Sequence, residues 1–254
     1  MEVKNKVAII SGGASGMGAA TAVLLTAAGA KVAILDINSA AANKLAQSLK
    51  CLPIACDITD SQQVETALQT IRHQLGPIHI CINCAGIIKS KRIVTPQGPL
   101  PLNEFRQVIE VNLIGTFNLM RIAAAEMSLS PLLPDTQERG VIINTASIAA
   151  FEGQIGQAAY SASKGGIVSL TLPAARELAQ FGIRVMAIAP GLVDTPLFQS
   201  IPEKAKQALA NEVPFPKRLA TPEEYASLVL HIINNPMLNG EVIRLDGALR
   251  MAAK

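Results

Sequence analysis

Short β-branched runs alternate with segments of helical spacing along the whole chain, and this alternation limits the fold more than any single motif. The runs fall at 7–11, 31–36, 52–57, 78–84, 141–145, 183–189 and 241–245. Between them, apolar residues recur at helical spacing over 19–28, 40–49, 64–75, 105–127, 158–179 and 222–233. Strict alternation implies parallel strands joined by right-handed crossovers. The strands read apolar on both faces, as they must when helices cover both sides of a sheet. The expectation is one α/β domain over 1–254 with a seven-stranded, doubly wound parallel sheet.

Composition narrows the function classes. Half the residues are hydrophobic and only 16% are charged, which excludes disordered and fibrous chains. The net charge is +3 and the Lys and Arg are scattered, so no nucleic-acid partner is expected. No run reaches the ~18 uncharged apolar residues of a membrane span, so no membrane partner is expected either. The chain enters its first strand at Val7 with no room for a signal peptide. A cytoplasmic location is the expectation, with the mitochondrial matrix as the alternative in a eukaryote. Cys51, Cys56, Cys81 and Cys84 lie in or beside apolar runs and are expected as reduced core thiols, with no metal site. Segments 89–101 and 128–139 read as loops. Segment 190–216 carries five prolines, interrupts the last crossover and reads as a substrate-binding loop.

The first strand runs into Ser11-Gly12-Gly13-Ala14-Ser15-Gly16-Met17-Gly18, where Gly12, Gly16 and Gly18 have the spacing G-x-x-x-G-x-G. Glycine lets a backbone turn this tightly and lie against a pyrophosphate, whose charge meets the free N–H groups of the next helix. Asp36 ends the second strand, about where a carboxylate takes the adenosine ribose hydroxyls. A carboxylate there repels a 2′-phosphate, and neither Ser15 nor Ile37 supplies an Arg to bind one. NAD is expected rather than NADP.

A second group comprises Ser147 and the segment Tyr160-Ser161-Ala162-Ser163-Lys164. Tyr160 and Lys164 are one helical turn apart and share a face. A phenol ionises near pH ~10, so Tyr160 needs a neighbouring positive charge to act as a base near neutrality. A solvated Tyr and Lys on a helix surface is the alternative reading. The histidines His73, His79 and His231 form no recognisable triad.

On these motifs the chain resembles the short-chain dehydrogenase/reductase family over essentially its whole length. The resemblance implies a Rossmann-like sheet of order 3-2-1-4-5-6-7, a homotetramer, and a catalytic tetrad at Asn112, Ser147, Tyr160 and Lys164. It implies cofactor contacts at Gly12, Ser15, Gly16, Met17, Gly18, Asp36, Asp57, Ile58, Asn83, Cys84, Ala85, Gly86, Tyr160, Lys164, Pro190, Gly191, Val193 and Thr195. Substrate contacts are implied at Ser147, Gln157 and Tyr160. In this reading Tyr160 is the base, Ser147 binds the substrate oxygen and Lys164 holds the ribose and lowers the Tyr160 pKa. Asn112 binds a relay water through its backbone in a distorted helix. Two residues depart from the family pattern: Ser11 stands where Thr is usual, and Cys84 where a second Asn is usual.

A narrower resemblance rests on Asn83-Cys84-Ala85-Gly86, on 140–166 and on 240–247. These blocks look like the 3-hydroxyacyl-CoA dehydrogenases of the family, which implies an acyl-CoA substrate. The alternatives are a hydroxysteroid or other secondary-alcohol dehydrogenase, a 3-oxoacyl-carrier-protein reductase, and a non-catalytic scaffold relative. Lys89, Lys91 and Arg92 are candidate contacts for the CoA phosphates, and solvated loop charges are the plainer reading of them.

Overall fold

The computed structural model describes residues 1–196 and 203–253. In chain order the main elements are β1 (Val7–Ser11), α1 (Gly16–Ala27), β2 (Lys31–Asp36), α2 (Ser39–Leu49), β3 (Leu52–Ala55), α3 (Ser61–Leu75) and β4 (Ile78–Asn83). There follow α4 (Leu102–Ile109), a π-helical stretch (Glu110–Gly115), α5 (Thr116–Ser128), β5 (Gly140–Thr145), α6 (Ala158–Leu178) and β6 (Ile183–Pro190). The last are α7 (Glu203–Glu212), α8 (Pro222–Asn234) and β7 (Val242–Leu245). The seven strands pair in parallel in the order β3-β2-β1-β4-β5-β6-β7.

The double-sided apolarity of the strands has a direct cause. In β1, Val7 and Ile9 enter one core with Leu68 and Ile71 of α3 and Leu119 of α5. Ala8 and Ile10 enter the other with Leu25 of α1 and Val229 and Ile232 of α8. Each fully buried Ile or Leu contributes about 1.5–3 kcal/mol, so a sheet with two covered faces can hold long loops at its carboxyl edge.

Helix ends are set by side chains. Asp60 caps α3 by accepting from the N–H groups of Gln62 and Gln63 at 2.9 and 3.1 Å. Thr221 and Glu224 cap α8, and Arg218 grips the Glu224 carboxylate at 2.6 Å, holding that carboxyl down at about 2.

Several segments differ from expectation. The third strand stops at Ala55, because Asp57 turns to accept from Thr59 N and Oγ1 at 2.9 and 2.8 Å. Segment 89–101 contains an antiparallel ribbon of Val94–Thr95 and Gly98–Pro99, too short for a periodic signal. Segment 190–216 contains α7, whose few apolar residues hide it among prolines; residues 197–202 of that segment lie outside the described part. The helix expected over 105–127 is broken by the π-helical stretch, where a side chain on Gly115 would press into Ile58. Leu102–Ser128 is long and apolar enough by length and composition to cross a membrane, yet 56% of its most apolar window is buried within the protein.

Candidate active site

The carboxyl edge of the sheet brings the two motif groups together. Gly12 and Gly16 have φ of +62° and +52°, a region that favours glycine. A Cβ on Gly12 would stand 2.8 Å from Ala85 Cα, and one on Gly18 would collide with the Gly12 carbonyl. Glycine therefore lets the first loop lie flat between β4 and α1. The amino end of α1 has no side-chain cap on Ser15 and no acid in its first turn, so its N–H groups face an anion site unopposed. These features fit a cofactor pyrophosphate.

Asp36 fixes the rim of this cradle. Its Oδ2 accepts from Ala14 N at 3.0 Å and its Oδ1 from Asn38 N at 2.9 Å. Each carboxylate oxygen keeps acceptor capacity for a ribose diol. Asp57 also keeps one oxygen free of the Thr59 turn. Ile58 is buried in the core, and its carbonyl accepts from Asn118 Nδ2 at 2.8 Å.

Asn83 behaves differently from a ligand-facing side chain. It is buried, its Nδ2 donates to Asn144 Oδ1 at 2.8 Å and its carbonyl accepts from Thr145 Oγ1 at 2.6 Å. Ser11 Oγ donates to Asn83 Oδ1 and accepts from Ala85 N, both at 3.4 Å, so the Ser-for-Thr departure keeps its hydroxyl contacts. Cys84 points its thiol toward Tyr225 OH at 3.6 Å, and burial pushes that thiol up, away from reactivity.

One cleft is lined by Met17, Cys84, Gly86, Ser147, Tyr160 and Lys164, closed on its far side by Pro190, Gly191, Val193 and Thr195. Thr195 overhangs the glycine loop, since a Cβ on Gly16 would stand 3.3 Å from its Cγ2. Lys164 is 4% exposed, and its Nζ donates to the Thr145 carbonyl at 2.6 Å. Burial lowers its pKa to about 8. Tyr160 faces the same cleft with Lys164 Nζ 5.9 Å from its ring centroid. Burial raises the Tyr160 phenol, and its hydrogen bond with Ser147 works against that rise. Burial and Ser147 account for the Tyr160 shift, so the lowering expected from Lys164 is not seen, and with one N–H on Thr145 the ammonium keeps two donors for a ligand.

Asn112 lies in the π-helical stretch, the distortion expected around it. Its side chain accepts from Ile87 N at 2.8 Å and donates to the Ile87 carbonyl at 2.9 Å and to Ser163 Oγ at 3.1 Å. Gly86 lies between Asn112 and Lys164, where a Cβ would be 3.2 Å from Asn112 Oδ1 and 3.7 Å from Lys164 Nζ. Gln157 is turned back on its own loop, accepting from Gln154 N at 3.0 Å, and is not part of the cleft lining. Ile87, Ile88, Thr145 and Ala146 complete the cleft and were not singled out from sequence as site residues. A backbone carbonyl such as that of Thr145 leaves no residue-type signal.

Residues 6–206 match the family described as short chain dehydrogenase. The 3-hydroxyacyl-CoA dehydrogenase type-2 of Homo sapiens is 54% identical over 254 residues, covering 98% of this chain and 97% of the relative. A 3-oxoacyl-[acyl-carrier-protein] reductase of Thermotoga maritima is 33% identical, covering 98% and 99%. The crystal structure of 3-hydroxyacyl-CoA dehydrogenase type-2 from Mycobacterium avium superimposes with a TM-score of 0.94 at 40% identity, covering 98% of both chains.

Proposed function

The chain belongs to the short-chain dehydrogenase family, an oxidoreductase that uses a nicotinamide cofactor and a small-molecule substrate, and from that premise we propose that it interconverts 3-hydroxyacyl-CoA and 3-oxoacyl-CoA with NAD. The observation that carries the catalytic part is the placement of Ser147, Tyr160 and buried Lys164 in one cleft beside the uncapped amino end of α1. The acyl-CoA part is supported by the names of the relatives.

In this reading Tyr160 Oη takes the proton of the substrate hydroxyl, and the Ser147 hydroxyl donates a hydrogen bond to the same oxygen. Lys164, seated by Thr145, presents its remaining N–H groups to the nicotinamide ribose. The bound cofactor supplies the hydride-accepting carbon and, when oxidised, a positive charge that favours phenolate. The Asn112 carbonyl, at the π-helical stretch, holds a relay water between Lys164 and solvent. Asp36 selects NAD by binding the ribose diol and repelling a 2′-phosphate. Of the loop 190–216, the described residues 203–216 with α7 are assigned to the substrate side.

A homotetramer belongs to the same proposal. Leu102, Ile114, Phe117 and Leu172 are exposed apolar residues on and between α4, α5 and α6, and burying them between copies would remove them from water. The deciding experiment is a set of initial rates over a 3-hydroxyacyl-CoA chain-length series with NAD and NADP compared. Turnover confined to CoA-free alcohols would overturn the substrate assignment.

A further inference from the structure

A cluster of four charged side chains lies outside the cleft and takes no part in the chemistry above. Arg244 in β7 donates through Nη1 and Nη2 to Glu152 Oε1 and Oε2 at 2.7 and 2.8 Å. Its Nε donates to Asp246 Oδ2 at 2.6 Å, and Nη2 also reaches the Leu249 carbonyl at 3.0 Å. Arg250 donates to Asp246 Oδ2 at 3.2 Å and stands 3.4 Å from Glu152 Oε1. The Arg244 guanidinium also stacks 5.2 Å from the centroid of the Phe151 ring. A single surface ion pair contributes little, but a two-point fork inside a network is the geometry that does count. Arg244 accordingly holds the Glu152 carboxyl below its ordinary value.

What the cluster ties together is specific. Glu152 sits in the stretch between Ser147 and Tyr160, whose only regular structure before α6 is the 3₁₀ turn Ile148–Ala150. Residues 246–253 touch this stretch again and again. Leu249 is buried in one small core with Ile148. Ile155 N donates to the Ala253 carbonyl at 2.9 Å, and Gln154 Nε2 to the Ala252 carbonyl at 3.1 Å. Gln157 then ties Gln154 to the first turn of α6, which carries Tyr160.

We propose that Glu152 is a positioning residue: clasped by Arg244 and Arg250, it lets segment 246–253 hold the loop between Ser147 and Tyr160 in the shape that receives substrate. The proposal rests on the roles given to Ser147 and Tyr160 above. Glu152 and its arginines make no hydrogen bond to the glycine loop or Asp36 among the described residues, whereas Asp246 packs against Gly191 of the cleft wall, so the clasp is opened at Glu152 and not at Asp246. Opening the clasp should therefore weaken the hold on substrate and leave the hold on cofactor intact.

The test compares wild type with Glu152→Gln, which keeps shape and removes charge, and with Arg244→Lys, which keeps charge and removes the fork. Three readouts are needed: steady-state rates with a 3-hydroxyacyl-CoA, NAD affinity by titration, and amide hydrogen exchange of 148–157. For Glu152→Gln the substrate KM should rise about 10-fold, because a loop no longer held in place has to be ordered when substrate binds. Its kcat should stay within about 3-fold, NAD affinity should be unchanged, and exchange within 152–156 should be faster. Arg244→Lys should fall between the two. Unchanged exchange and KM would overturn the proposal, and so would losses in NAD affinity and kcat that merely track a lower melting temperature. If wild type turns over no 3-hydroxyacyl-CoA, the substrate reading fails, and the exchange measurement still decides whether Glu152 holds the loop.

Discussion

Lys164 Nζ stands 2.6 Å from the carbonyl oxygen of Thr145, and this contact is what keeps an ammonium in a site where it is 4% exposed. Desolvation opposes the charge and depresses the pKa from 10.5 to about 8. A single carbonyl only partly offsets that cost, so the folded protein carries a strained charge at neutral pH. Strain of this kind is expected where catalysis needs a group that stability does not.

The sign of the pH effect follows from that shift. Between about pH 8 and 10.5 the unfolded chain holds the Lys164 proton and the folded chain has released it, so this group makes stability rise with pH across the window. At 1.36 kcal/mol per unit the rise is on the order of 3 kcal/mol. Lys164→Met should abolish this increment while reducing turnover at least ~100-fold. Denaturant melts of both proteins from pH 7 to 11 check it, and identical pH slopes would refute the buried-charge account.

Tyr160→Phe keeps the ring that lines the cleft and removes the group that ionises. Turnover should fall by at least the ~100-fold typical of a lost general base, with NAD affinity near that of wild type. Stopped assays at saturating NAD, with parallel cofactor titration, measure both. Residual turnover above a tenth of wild type would move the proton-accepting role to another group.

The fold was readable because the sheet is covered on both faces and its central strands are mostly apolar runs; β1 and β2 fall at their expected bounds. Boundaries failed where side chains, not periodicity, end the element, as Asp57 does after β3. The ribbon at Val94–Thr95 and helix α7 were invisible because two-residue strands and an apolar-poor helix carry no period. Within the site, the glycine loop and the Tyr160/Lys164 pair were legible as residue types at fixed spacing. The Thr145 carbonyl was not, because every residue has one. The inward turn of Asn83 depends on the register that sets Ser11, Asn83 and Asn144 side by side across three strands, which no local pattern encodes.

Asp36 holds two backbone N–H groups as well as facing the cofactor cradle, so its removal should have two effects. Asp36→Ala should raise the KM for NAD about 10-fold and narrow the NAD/NADP preference, because an attraction and a repulsion vanish together. Asp36→Asn keeps an oxygen for Ala14 N and should restore part of the NAD affinity without restoring discrimination. Kinetic comparison of both variants with both cofactors checks this, and an unaltered preference ratio would remove Asp36 from the selectivity account.

The cations after β4 give the sharpest test of the CoA assignment. Lys89 Nζ donates to Gln107 Oε1 at 2.6 Å, and Lys91 pairs with Glu104 at 2.7 Å, so two of the three already have partners on α4. The Lys89 contact has a neutral acceptor, and a phosphate offers a charge-assisted one roughly twice as strong, whereas the exposed Lys91–Glu104 pair is already charge-assisted and worth about 0–1 kcal/mol. Exchange of partners on binding is therefore favourable for Lys89, and Arg92, exposed beside the groove of Ile93, Val94 and Phe151, has no ion pair to give up among the described residues. Replacing Lys89, Lys91 and Arg92 together by Ala should raise the KM for 3-hydroxyacyl-CoA about 10-fold, with Arg92→Ala alone giving the largest single share. The same variant should leave the KM for a CoA-free 3-hydroxy thioester unchanged, and added salt should erode the wild-type advantage. Parallel shifts for both substrates would mean that these residues shape the loop and do not read phosphate.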